Sequence, residues 1–532
     1  MVARILIVDA LSTGSGRRTS SRDSIGCGPR AVAGVLEMHD VSCRIVRAEE
    51  VVTTPRRLRD YEHVAISAMT MDIPVTQSII KKWRHTNPSG RVLVGGPIGS
   101  DPINALGELK PDLLVVGEGE GTLNNLLVAG YLDEKVDCCD MQGVAYLVGK
   151  RPVVNAPRPP LTATELSEVF VPSTTRIVDY RAYQAARVYV EAVRGCSNFG
   201  RTNLRLPDGR ECSDCGNCDS DIPADRLDCP EDIPAGCGFC SVPQSWGPPR
   251  SRSPDSIVAE IKGLLDLGVH KIVLEAPDFL DYHRGSDPLT NPCEPEANID
   301  AISDLLRQIT SLPRLVEGRT RVSVENVKAC LFTDEVASAL SRSMKGISPN
   351  IGVESGSDDH LRRIGKCGST GDVLRAVKVA ANHGMAPFVY LIYGLPGETP
   401  ETIQESISLM KAVAEAGAER IILYGFRALP GSAFSDFYEP SPKNPLYAEL
   451  KQEAAKINRA KKKEYLGKTV LGIAAEPSWE RHGYTMFYPL DEGPLITVRG
   501  GFSSGTLLPI QIKKVLSSGL VEGIVHAETA EE

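Results

Sequence analysis

VYVEAVRGC at residues 188–196 and GCGFC at residues 236–240 are the two most informative stretches of this sequence. The mostly apolar run before the first cysteine predicts a buried β-strand whose carboxyl end carries that cysteine. Three thiolates at the end of a strand suit an iron–sulfur cluster in which one iron has no protein ligand. The predicted cluster ligands are Cys196, Cys237 and Cys240.

The two stretches together resemble the radical S-adenosylmethionine (radical SAM) superfamily. In that superfamily a C-x3-C-x2-C loop after the first barrel strand holds a 4Fe–4S cluster, and S-adenosylmethionine (SAM) chelates the fourth iron. The RGC and CxFC halves match, with Phe239 inside the second half, but residues 197–236 separate them here. We interpret residues 197–236 as an insertion in the cluster loop, which requires Cys196 and Cys237 to lie together in the fold.

The insertion carries a second group of cysteines. Fourteen cysteines in a chain predicted to be cytoplasmic favour metal ligands over disulfides. Four thiolates at close spacing fit a tetrahedral structural zinc ion, which would also fold a polar loop with little core of its own. Two alternatives stay open: these cysteines belong to a redox cluster, or they stay reduced without a metal. The four are Cys212, Cys215, Cys218 and Cys229.

Strand-like runs alternate with helical patterns after the first cysteine motif. Six strand–helix units predict an incomplete (β/α)6 barrel over residues 186–435, with its active site at the carboxyl ends of the strands. The predicted strands are Val188–Val193, Lys271–Leu274, Arg321–Val327, Asn350–Val353, Phe388–Tyr393 and Arg420–Tyr424.

Three strand-end loops of this predicted barrel resemble recurring radical SAM elements. They are Lys271–Phe279 (KIVLEAPDF), Ile351–Ser357 (IGVESGS) and Gly394–Thr399 (GLPGET). The resemblance implies that Glu354 and Ser355 contact polar groups of SAM, and that the backbone of the third loop lines the SAM pocket. The alternative interpretation is that these are tight turns that need glycine and proline. The residues implied in the third loop are Gly394, Leu395, Pro396 and Gly397.

Residues 1–150 predict a doubly wound α/β domain. Short apolar runs at Ile5–Val8, Val64–Ser67, Val92–Val94 and Leu113–Val116 suggest a parallel sheet buried on both faces. Their loops resemble the cobalamin-binding domain of one class of radical SAM enzymes. A generic nucleotide-type domain is the alternative, with Glu118 and Glu120 as ordinary solvated carboxylates. The cobalamin-contacting residues implied by the resemblance are Ser67, Met69, Gly95, Gly96, Gly117, Glu118, Gly119 and Glu120.

The lower axial histidine motif of many cobalamin domains, D-x-H-x-x-G, is absent from the first loop, LSTGSGRRTSSRD at residues 11–23. Other members of the class also lack this motif, so the resemblance still implies a cobalamin that binds without a histidine on cobalt.

The rest of the chain predicts a linker and a small C-terminal module. Residues 151–185 are Pro-rich and aperiodic, as expected of a linker. Residues 436–532 predict a helix followed by five short strands between Gly and Pro turns, which is typical of a small β-barrel. This barrel resembles the RNA-associated TRAM module of tRNA methylthiotransferases. Those enzymes need three further cluster cysteines in their N-terminal domain, where this chain offers only Cys27, Cys43 and the adjacent Cys138-Cys139.

Composition excludes several classes of protein. With 59 Lys and Arg against 68 Asp and Glu, the net charge is −9, which disfavours a nucleic-acid partner although the RNA-associated barrel leaves that class open. The hydrophobic content of 42% indicates a folded chain. The sequence shows no long apolar run and no signal-peptide pattern, so we expect a cytoplasmic protein without membrane contact.

The combined resemblance predicts a cobalamin-dependent radical SAM C-methyltransferase that methylates an unactivated carbon. Domain order and the lengthened cluster loop are similar to the archaeal methyltransferases that modify a glutamine of methyl-coenzyme M reductase. The implied cofactors are a 4Fe–4S cluster, SAM, cobalamin and a structural zinc. The implied partners are the methyl-coenzyme M reductase alpha subunit as substrate and an electron donor such as a ferredoxin. The alternatives are a tRNA methylthiotransferase-like enzyme, an enzyme acting on a small molecule or lipid, and a metal-binding scaffold; no catalytic base is identifiable.

Overall fold

The computed structural model describes residues 4–18, 21–133, 136–344, 346, 348–517 and 519–526 of the 532-residue chain. The chain divides into two compact units. The first contains residues 1–183, 188–190 and 252–267, and the second contains residues 184–187, 191–251 and 268–532. Among the described residues, no helix combines the length and the apolar character needed to cross a bilayer.

The N-terminal part of the chain forms a doubly wound sheet. Its strands are β1 (Ile5–Asp9), β3 (Cys43–Arg47), β4 (His63–Ser67), β5 (Val92–Gly95), β6 (Leu113–Val115), β7 (Val144–Val148) and β8 (Arg151–Val154), and the short strand β2 (Ser24–Ile25) lies outside this sheet. Its helices are α1 (Gly28–Met38), α2 (Ala48–Thr53), α3 (Ile73–Thr86), α4 (Pro102–Leu109) and α5 (Gly119–Val128). Because α1 packs on α5 and α3 packs on α4, the helices form two layers, as in doubly wound folds.

The order of this sheet is β3-β1-β4-β5-β6-β7-β8, and its first five strands are parallel. The register places Val8 opposite both Val46 and Ile66. These side chains are buried in one core with Val64 and Val94, which explains the continuous apolar runs of the sequence. The loops after β4, β5 and β6 therefore leave the sheet at one edge.

The segment 151–185, predicted as a linker, begins as part of this sheet. β8 pairs antiparallel with β7, with Ala145 opposite Val154, and β7 pairs antiparallel with β6. The linker prediction is wrong for β8. The Pro-rich run that follows this short strand made the whole segment look aperiodic. The first compact unit continues to residue 183.

The middle of the chain supplies the predicted barrel strands, β9 (Arg187–Glu191), β12 (Lys271–Glu275), β13 (Arg321–Val324), β14 (Asn326–Val327), β15 (Asn350–Glu354), β16 (Phe388–Tyr393) and β17 (Arg420–Gly425). Two further short strands, β10 (Val193–Arg194) and β11 (Arg250–Ser251), form a separate antiparallel pair. The helices are α6 (Pro223–Leu227), α7 (Val242–Trp246), α8 (Pro254–Asp266), α9 (Ile299–Thr310), α10 (Pro313–Val316), α11 (Asp334–Ser343), α12 (Asp358–Arg363), α13 (Thr370–Asn382) and α14 (Pro400–Glu415).

Parallel pairing brings the strand ends of this region to one edge. β12 pairs with β13, and β14, β15, β16 and β17 pair in chain order. Glu325 joins the two sheets, because its N–H donates to the Leu274 carbonyl and its own carbonyl accepts from the Asn350 N–H. The Ala192 N–H donates to the Glu275 carbonyl at 2.8 Å, so the cysteine loop starts beside the carboxyl end of β12.

The C-terminal module is a closed five-stranded barrel that follows α15 (Ala448–Lys463). Its strands are β18 (Thr469–Pro477), β19 (Tyr484–Pro489), β20 (Leu495–Arg499), β21 (Leu507–Val515) and β22 (Leu520–Val525), in the order β18-β19-β20-β22-β21. Alternate residues such as Phe487, Ile496 and Ile510 fill its interior. Closure leaves no unpaired strand edge, and all five strands were predicted from the turn spacing.

Candidate active site

Cys196, the first cysteine of the motif, lies in a tight turn that packs against the loop at residues 247–248. Gly195 has φ +94°, and a Cβ on it would lie 2.3 Å from the Pro248 carbonyl oxygen. The Cys196 N–H donates to the Gly247 carbonyl at 3.1 Å. Only glycine permits this approach, so the RGC turn fixes where the Cys196 thiol lies.

Asn198 connects the two halves of the cysteine motif across the insertion. Its backbone N–H donates to Cys196 Sγ at 3.5 Å, and its side-chain Nδ2 donates to Cys237 Sγ at 3.2 Å. The same Nδ2 donates to the Gly365 carbonyl at 3.0 Å. The Cys240 N–H donates to the Cys237 carbonyl at 2.8 Å. The structure therefore brings together the three predicted cluster cysteines, and Asn198 is a residue that sequence analysis missed.

Burial raises the pKa of all three thiols, to about 12 for Cys196, because a desolvated thiolate loses its stabilising water. Lys328 opposes this shift at Cys196, and Lys366 opposes it at Cys237 and Cys240. Buried thiols that ionise only beside positive charge suit iron, whose own charge stabilises thiolate ligands. This donor set fits a 4Fe–4S cluster with three cysteine ligands.

The second half of the motif is wedged between two other loops. The Gly238 N–H donates to the Ile364 carbonyl at 2.7 Å, and the Gly238 carbonyl accepts from the Phe434 N–H at 2.8 Å. A Cβ on Gly238 would lie 2.4 Å from the Phe434 ring. Glycine is therefore required at this position, while the neighbouring Phe239 is half-buried.

A buried charge network supports the cysteine loop from the β12 side. Ser197 Oγ lies 2.9 Å from both carboxylate oxygens of Asp281. Arg284 pairs with Asp281 at 2.7 Å, and Lys328 pairs with Asp281 at 2.8 Å and with Asp278 at 3.0 Å. Burial raises the pKa of Asp278, whereas Lys328 and Arg284 overcome burial and lower the pKa of Asp281. The network holds the backbone next to Cys196 in place.

Glu354, predicted to contact SAM, lies in an unusual backbone conformation at the end of β15. Its φ is +68°, which costs energy in a residue other than glycine and is often found at functional sites. Its buried carboxylate accepts a hydrogen bond from Lys366 Nζ at 3.0 Å. The same lysine faces Cys237, so Glu354 is connected to the cysteine cluster through one side chain.

His360 links two of the predicted SAM loops. Its Nε2 lies 2.9 Å from the Pro396 carbonyl and its Nδ1 lies 2.9 Å from Ser355 Oγ. Because a carbonyl only accepts, Nε2 carries the proton, and the Ser355 hydroxyl donates to Nδ1. Burial lowers the pKa of His360 and favours this neutral form. Because the Ser355 hydroxyl donates its proton to His360, Ser355 can only accept a hydrogen bond from a ligand.

The GLPGE loop is closed by its own acidic residue. The Gly394 N–H donates to Glu398 Oε2 at 2.7 Å, and burial raises the pKa of Glu398 to about 7. Gly394 and Gly397 have φ +80° and +81°, and Leu395 is buried between them. The structure thus places the backbone of this loop beside the end of β15, through the contact of Pro396 with His360.

Replacing His360 with alanine is expected to weaken SAM binding about tenfold while the iron content stays unchanged. Two hydrogen bonds that fix Ser355 and Pro396 are lost, and a net 1–1.5 kcal/mol for such a loss corresponds to about tenfold. Equilibrium dialysis with SAM and the KM for SAM cleavage measure the effect. His383→Ala, which breaks the contact with Asp334 on exposed helices, is the matched control; equal SAM affinity in both variants would contradict a positioning role for His360.

The insertion cysteines are not brought together as a four-ligand site. Cys212 and Cys215 are exposed, and Cys218 and Cys229 are half-buried. Cys218 is in electrostatic contact with Cys212 and Cys229, and Arg201 Nη1 donates to its Sγ at 3.5 Å. Among the described residues these four do not meet the distances of a closed metal site, so the predicted zinc is not supported by the geometry.

The sequence favours metal ligands over disulfides, and the structure contains a disulfide at one cysteine pair. Cys293 and Cys330 are bonded through their sulfurs, with their Cα atoms 5.7 Å apart. Cys367 lies beside this pair, and the three sulfurs are within 4.8 Å of one another. Sequence analysis did not single out these cysteines, because they come from three separate loops and form no motif.

The predicted cobalamin loops meet at the edge of the N-terminal sheet. Ser67 Oγ, at the end of β4, would lie 3.5 Å from a Cβ on Gly28 and also 3.5 Å from a Cβ on Gly96. Gly96 has φ +92°, and a Cβ on it would lie 2.9 Å from the Ala68 carbonyl. The Ala68 N–H donates to the Gly95 carbonyl at 3.0 Å. These contacts bring the loops after β4 and β5 together in a backbone-lined cradle, in which position 96 must be glycine.

Asp72 organises the first loop of this domain and was missed by sequence analysis. Its buried carboxylate accepts hydrogen bonds from the backbone N–H groups of Ser12, Thr13, Gly14 and Met69, at 2.7–3.1 Å. Burial raises the pKa of Asp72, and these four hydrogen bonds oppose the shift. Predicted site residue Met69 is thereby held beside the first loop, with its Sδ accepting from Ser12 Oγ at 3.6 Å.

The GEGEG turn starts helix α5 with buried carboxylates. Gly117 has φ +77°, and Gly119 begins the helix. Glu118 and Glu120 are both buried, and Glu118 Oε2 accepts from the Leu161 N–H at 2.8 Å. The alternative of ordinary solvated carboxylates is therefore wrong. Through this hydrogen bond, Glu118 instead fixes the chain after β8 against the edge of the sheet.

Comparisons with known proteins agree with this geometry. The sequence profile of the radical SAM superfamily matches residues 229–410, which include Cys237, Cys240, Glu354 and the GLPGE loop but not Cys196. MK0932 of Methanopyrus kandleri is 39% identical over 99% of this chain and 96% of its own. MJ1620 of Methanocaldococcus jannaschii is 38% identical over 94% of each chain. This chain belongs to the same archaeal family. It is a radical SAM enzyme.

Solved structures of two radical SAM enzymes share the fold. TsrM from Kitasatospora setae, a radical SAM methyltransferase solved with cobalamin and a [4Fe–4S] cluster, has a TM-score of 0.60 and 16% identity, covering 82% of this chain and 77% of TsrM. OxsB, a cobalamin-dependent SAM radical enzyme, has a TM-score of 0.56 and 13% identity, covering 87% of this chain and 56% of OxsB. At these identities the similarity establishes the fold alone.

A tRNA-modifying enzyme is also a relative, at greater distance. The tRNA-2-methylthio-N(6)-dimethylallyladenosine synthase of Clostridium novyi is 26% identical over 54% of this chain and 62% of its own.

Proposed function

We propose that this radical SAM enzyme is a cobalamin-dependent C-methyltransferase that methylates an unactivated carbon. The observation that carries the proposal is the occurrence, in one chain, of a three-thiol site in the barrel and a glycine-lined cradle at the edge of a doubly wound sheet. The fold shared with TsrM, which was solved with both cofactors, supports the assignment of cobalamin to that cradle.

The residues at the first site suit the chemistry that the cofactors supply. A bound 4Fe–4S cluster with SAM supplies the one-electron activation of an unreactive C–H bond, and bound cobalamin supplies a methyl group. Cys196, Cys237 and Cys240 would hold the cluster, positioned by Asn198. Lys328 and Lys366 offset the negative charge that three thiolates bring into a buried site.

Three further features would position SAM. Lys366 orients the Glu354 carboxylate, which is suited to accept hydrogen bonds from an amine or from hydroxyl groups. His360 fixes Ser355 and Pro396 relative to each other. The GLPG backbone then presents peptide groups rather than charged side chains.

The cradle in the N-terminal unit would take cobalamin without a histidine from the first loop. Residues 10–27 contain no histidine, and Asp72 fixes the backbone of residues 12–14 by hydrogen bonds. Gly28 and Gly96 both lie beside Ser67 Oγ, so the cradle would present backbone and a small hydroxyl rather than bulky side chains to the cofactor.

We further propose that the substrate is a glutamine of the methyl-coenzyme M reductase alpha subunit, with a ferredoxin-like protein as electron donor. Support comes from the resemblance in domain order and in the lengthened cluster loop, and from full-length relatives in two archaea. The experiment is co-expression with that subunit, followed by mass spectrometry for one added methyl group on glutamine. The Cys237→Ala variant is the control; an unmodified peptide despite active SAM cleavage would rule out this target.

A tRNA methylthiotransferase is the second candidate, favoured by the Clostridium novyi relative and by the C-terminal barrel. Such an enzyme needs a second cluster in the N-terminal domain. Of the four N-terminal cysteines, Cys27, Cys43 and Cys138 are buried and Cys139 is exposed, and burial raises the pKa of Cys43 to about 12. Cofactor content separates the candidates: purified enzyme with a 4Fe–4S spectrum but no cobalamin, and thiomethylated tRNA nucleosides, would establish the second.

A further inference from the structure

Three cysteines outside both predicted metal sites converge at the carboxyl edge of the barrel. Cys293 lies in the loop between β12 and α9, Cys330 follows β14, and Cys367 lies between α12 and α13. Their sulfurs are all within 4.8 Å of one another, and they form the one such group found among the described residues. Gly368, which follows Cys367, has φ +77°, a left-handed conformation that favours glycine.

We propose that the reduced forms of Cys293, Cys330 and Cys367 bind one thiophilic divalent ion, such as Zn²⁺, and leave its fourth position open. A tetrahedral ion with bonds of about 2.3 Å to sulfur holds its thiolates about 3.8 Å apart. The three sulfurs lie within 4.8 Å of one another, so one ion can reach all three once the disulfide is reduced. A four-iron cluster spreads its thiolates over separate irons, so this spacing favours a single ion.

The charges around the three sulfurs support such an ion. Three thiolates and a divalent cation carry a net charge of −1, which requires a nearby cation when the site is half-buried. Lys328 and Lys366 are both in electrostatic contact with Cys367. Cys367 and both lysines also line a small cavity of about 10 Å³ with Gly352 and Ser369. The open position would accept a water molecule from this cavity.

The disulfide and the ion are alternative states of the same site. A phosphine reductant transfers two electrons to the Cys293–Cys330 bond, giving two thiols and a phosphine oxide whose oxygen comes from water. Binding of Zn²⁺ by the three thiols then releases three protons. None of the three ligands is assigned to the cluster, to SAM or to cobalamin, so loss of zinc and loss of the cluster can be measured separately; the two sites share only the neighbouring charges of Lys328 and Lys366.

The test uses the full chain with Cys212→Ser and Cys215→Ser, which removes the insertion cysteines as competing ligands. After anaerobic phosphine treatment and dialysis against Zn²⁺, elemental analysis should find one zinc per chain. Cys293→Ser, Cys330→Ser and Cys367→Ser should each lose that zinc and keep the 4Fe–4S absorption, which shows that the variants fold. Cys27→Ser, a buried cysteine of the N-terminal unit, is the matched control and should keep it.

Substitution with Co²⁺ gives an independent readout, because thiolate-to-cobalt charge transfer reports sulfur ligands directly. We expect this absorption in the parent protein and its loss in the Cys367→Ser variant. Absence of zinc from the reduced parent protein would overturn the proposal. So would retention of zinc by Cys367→Ser, because the ion would then be bound elsewhere.

Discussion

Replacing Cys196 with alanine is expected to remove the 4Fe–4S cluster and abolish SAM cleavage. The change should lower bound iron by about four atoms per chain. Cys196 is separated from Cys237 in sequence by the whole insertion, yet Asn198 donates to both thiols. Loss of one of the three thiolates leaves one iron without its cysteine ligand, and the motif contains no other cysteine that can replace it. Iron and sulfide analysis and anaerobic assay of 5′-deoxyadenosine formation measure the effect.

Cys212→Ala provides a matched control within the same insertion. Its thiol is exposed, and we expect full iron content and full SAM cleavage. If Cys212→Ala loses the cluster while Cys196→Ala retains it, the closely spaced insertion cysteines are the cluster ligands. The radical SAM motif would then have been assigned to the wrong cysteine.

Local sequence patterns predicted many elements of the fold, but not β3, β7 or β8. Val64–Ser67 and Phe388–Tyr393 are mostly apolar runs that form strands whose side chains are buried or half-buried on both faces. The start of α14 has a similarly local cause, because the Thr399 side chain accepts from the Thr402 N–H. In each case the physical cause lies within a few residues, so a single sequence contains it.

The supporting residues of the site could not be predicted in the same way. Asn198, His360 and Asp72 act through contacts with residues far away in sequence, and a lone asparagine, histidine or aspartate carries no signal of such contacts. Glu260 is a clearer example, because it lies on an otherwise ordinary helix and yet pairs with Arg30 at 2.7 Å and Arg252 at 2.6 Å inside the first unit. Such polar partners are chosen by the tertiary fold, where a buried charge must find an opposite charge.

Glycines were informative for a different reason. The turns around Gly195 and Gly238 were recognised through the motif, and the structure adds that a Cβ at either position would collide with backbone or ring atoms.

The cysteine spacing in the insertion was a misleading signal. It predicted a metal site, whereas the cysteines that converge in the structure come from loops without any spacing pattern.

Lys328→Met is expected to destabilise the second unit by about 3–5 kcal/mol, the usual cost of leaving a buried charge without its partner. Lys328 is almost fully buried between Asp278 and Asp281, and burial alone would lower its pKa, but the two carboxylates raise it. Methionine keeps the volume of the side chain and removes its charge. Arg284 still pairs with Asp281, so Asp278 is the carboxylate that loses its positively charged partner.

The loss of stability caused by Lys328→Met should depend on pH. Burial already raises the pKa of Asp278, and removal of Lys328 raises it further. A group whose folded pKa is raised stabilises the fold below its unfolded pKa, and that stabilisation is lost as pH rises through the folded value. The difference between variant and parent in the thermal unfolding midpoint should therefore be largest near pH 8 and narrow as pH falls towards 5.

Lys262→Met is the matched control, since it removes the same group from an exposed pair with Asp266 at 2.9 Å. Exposed pairs contribute about 0–1 kcal/mol, so its unfolding midpoint should stay close to that of the parent at every pH. Equal midpoints for the two variants would contradict the network, because they would mean that Asp278 reaches water or another cation once Lys328 is gone. A pH-independent loss in Lys328→Met would show that packing rather than charge is the cause.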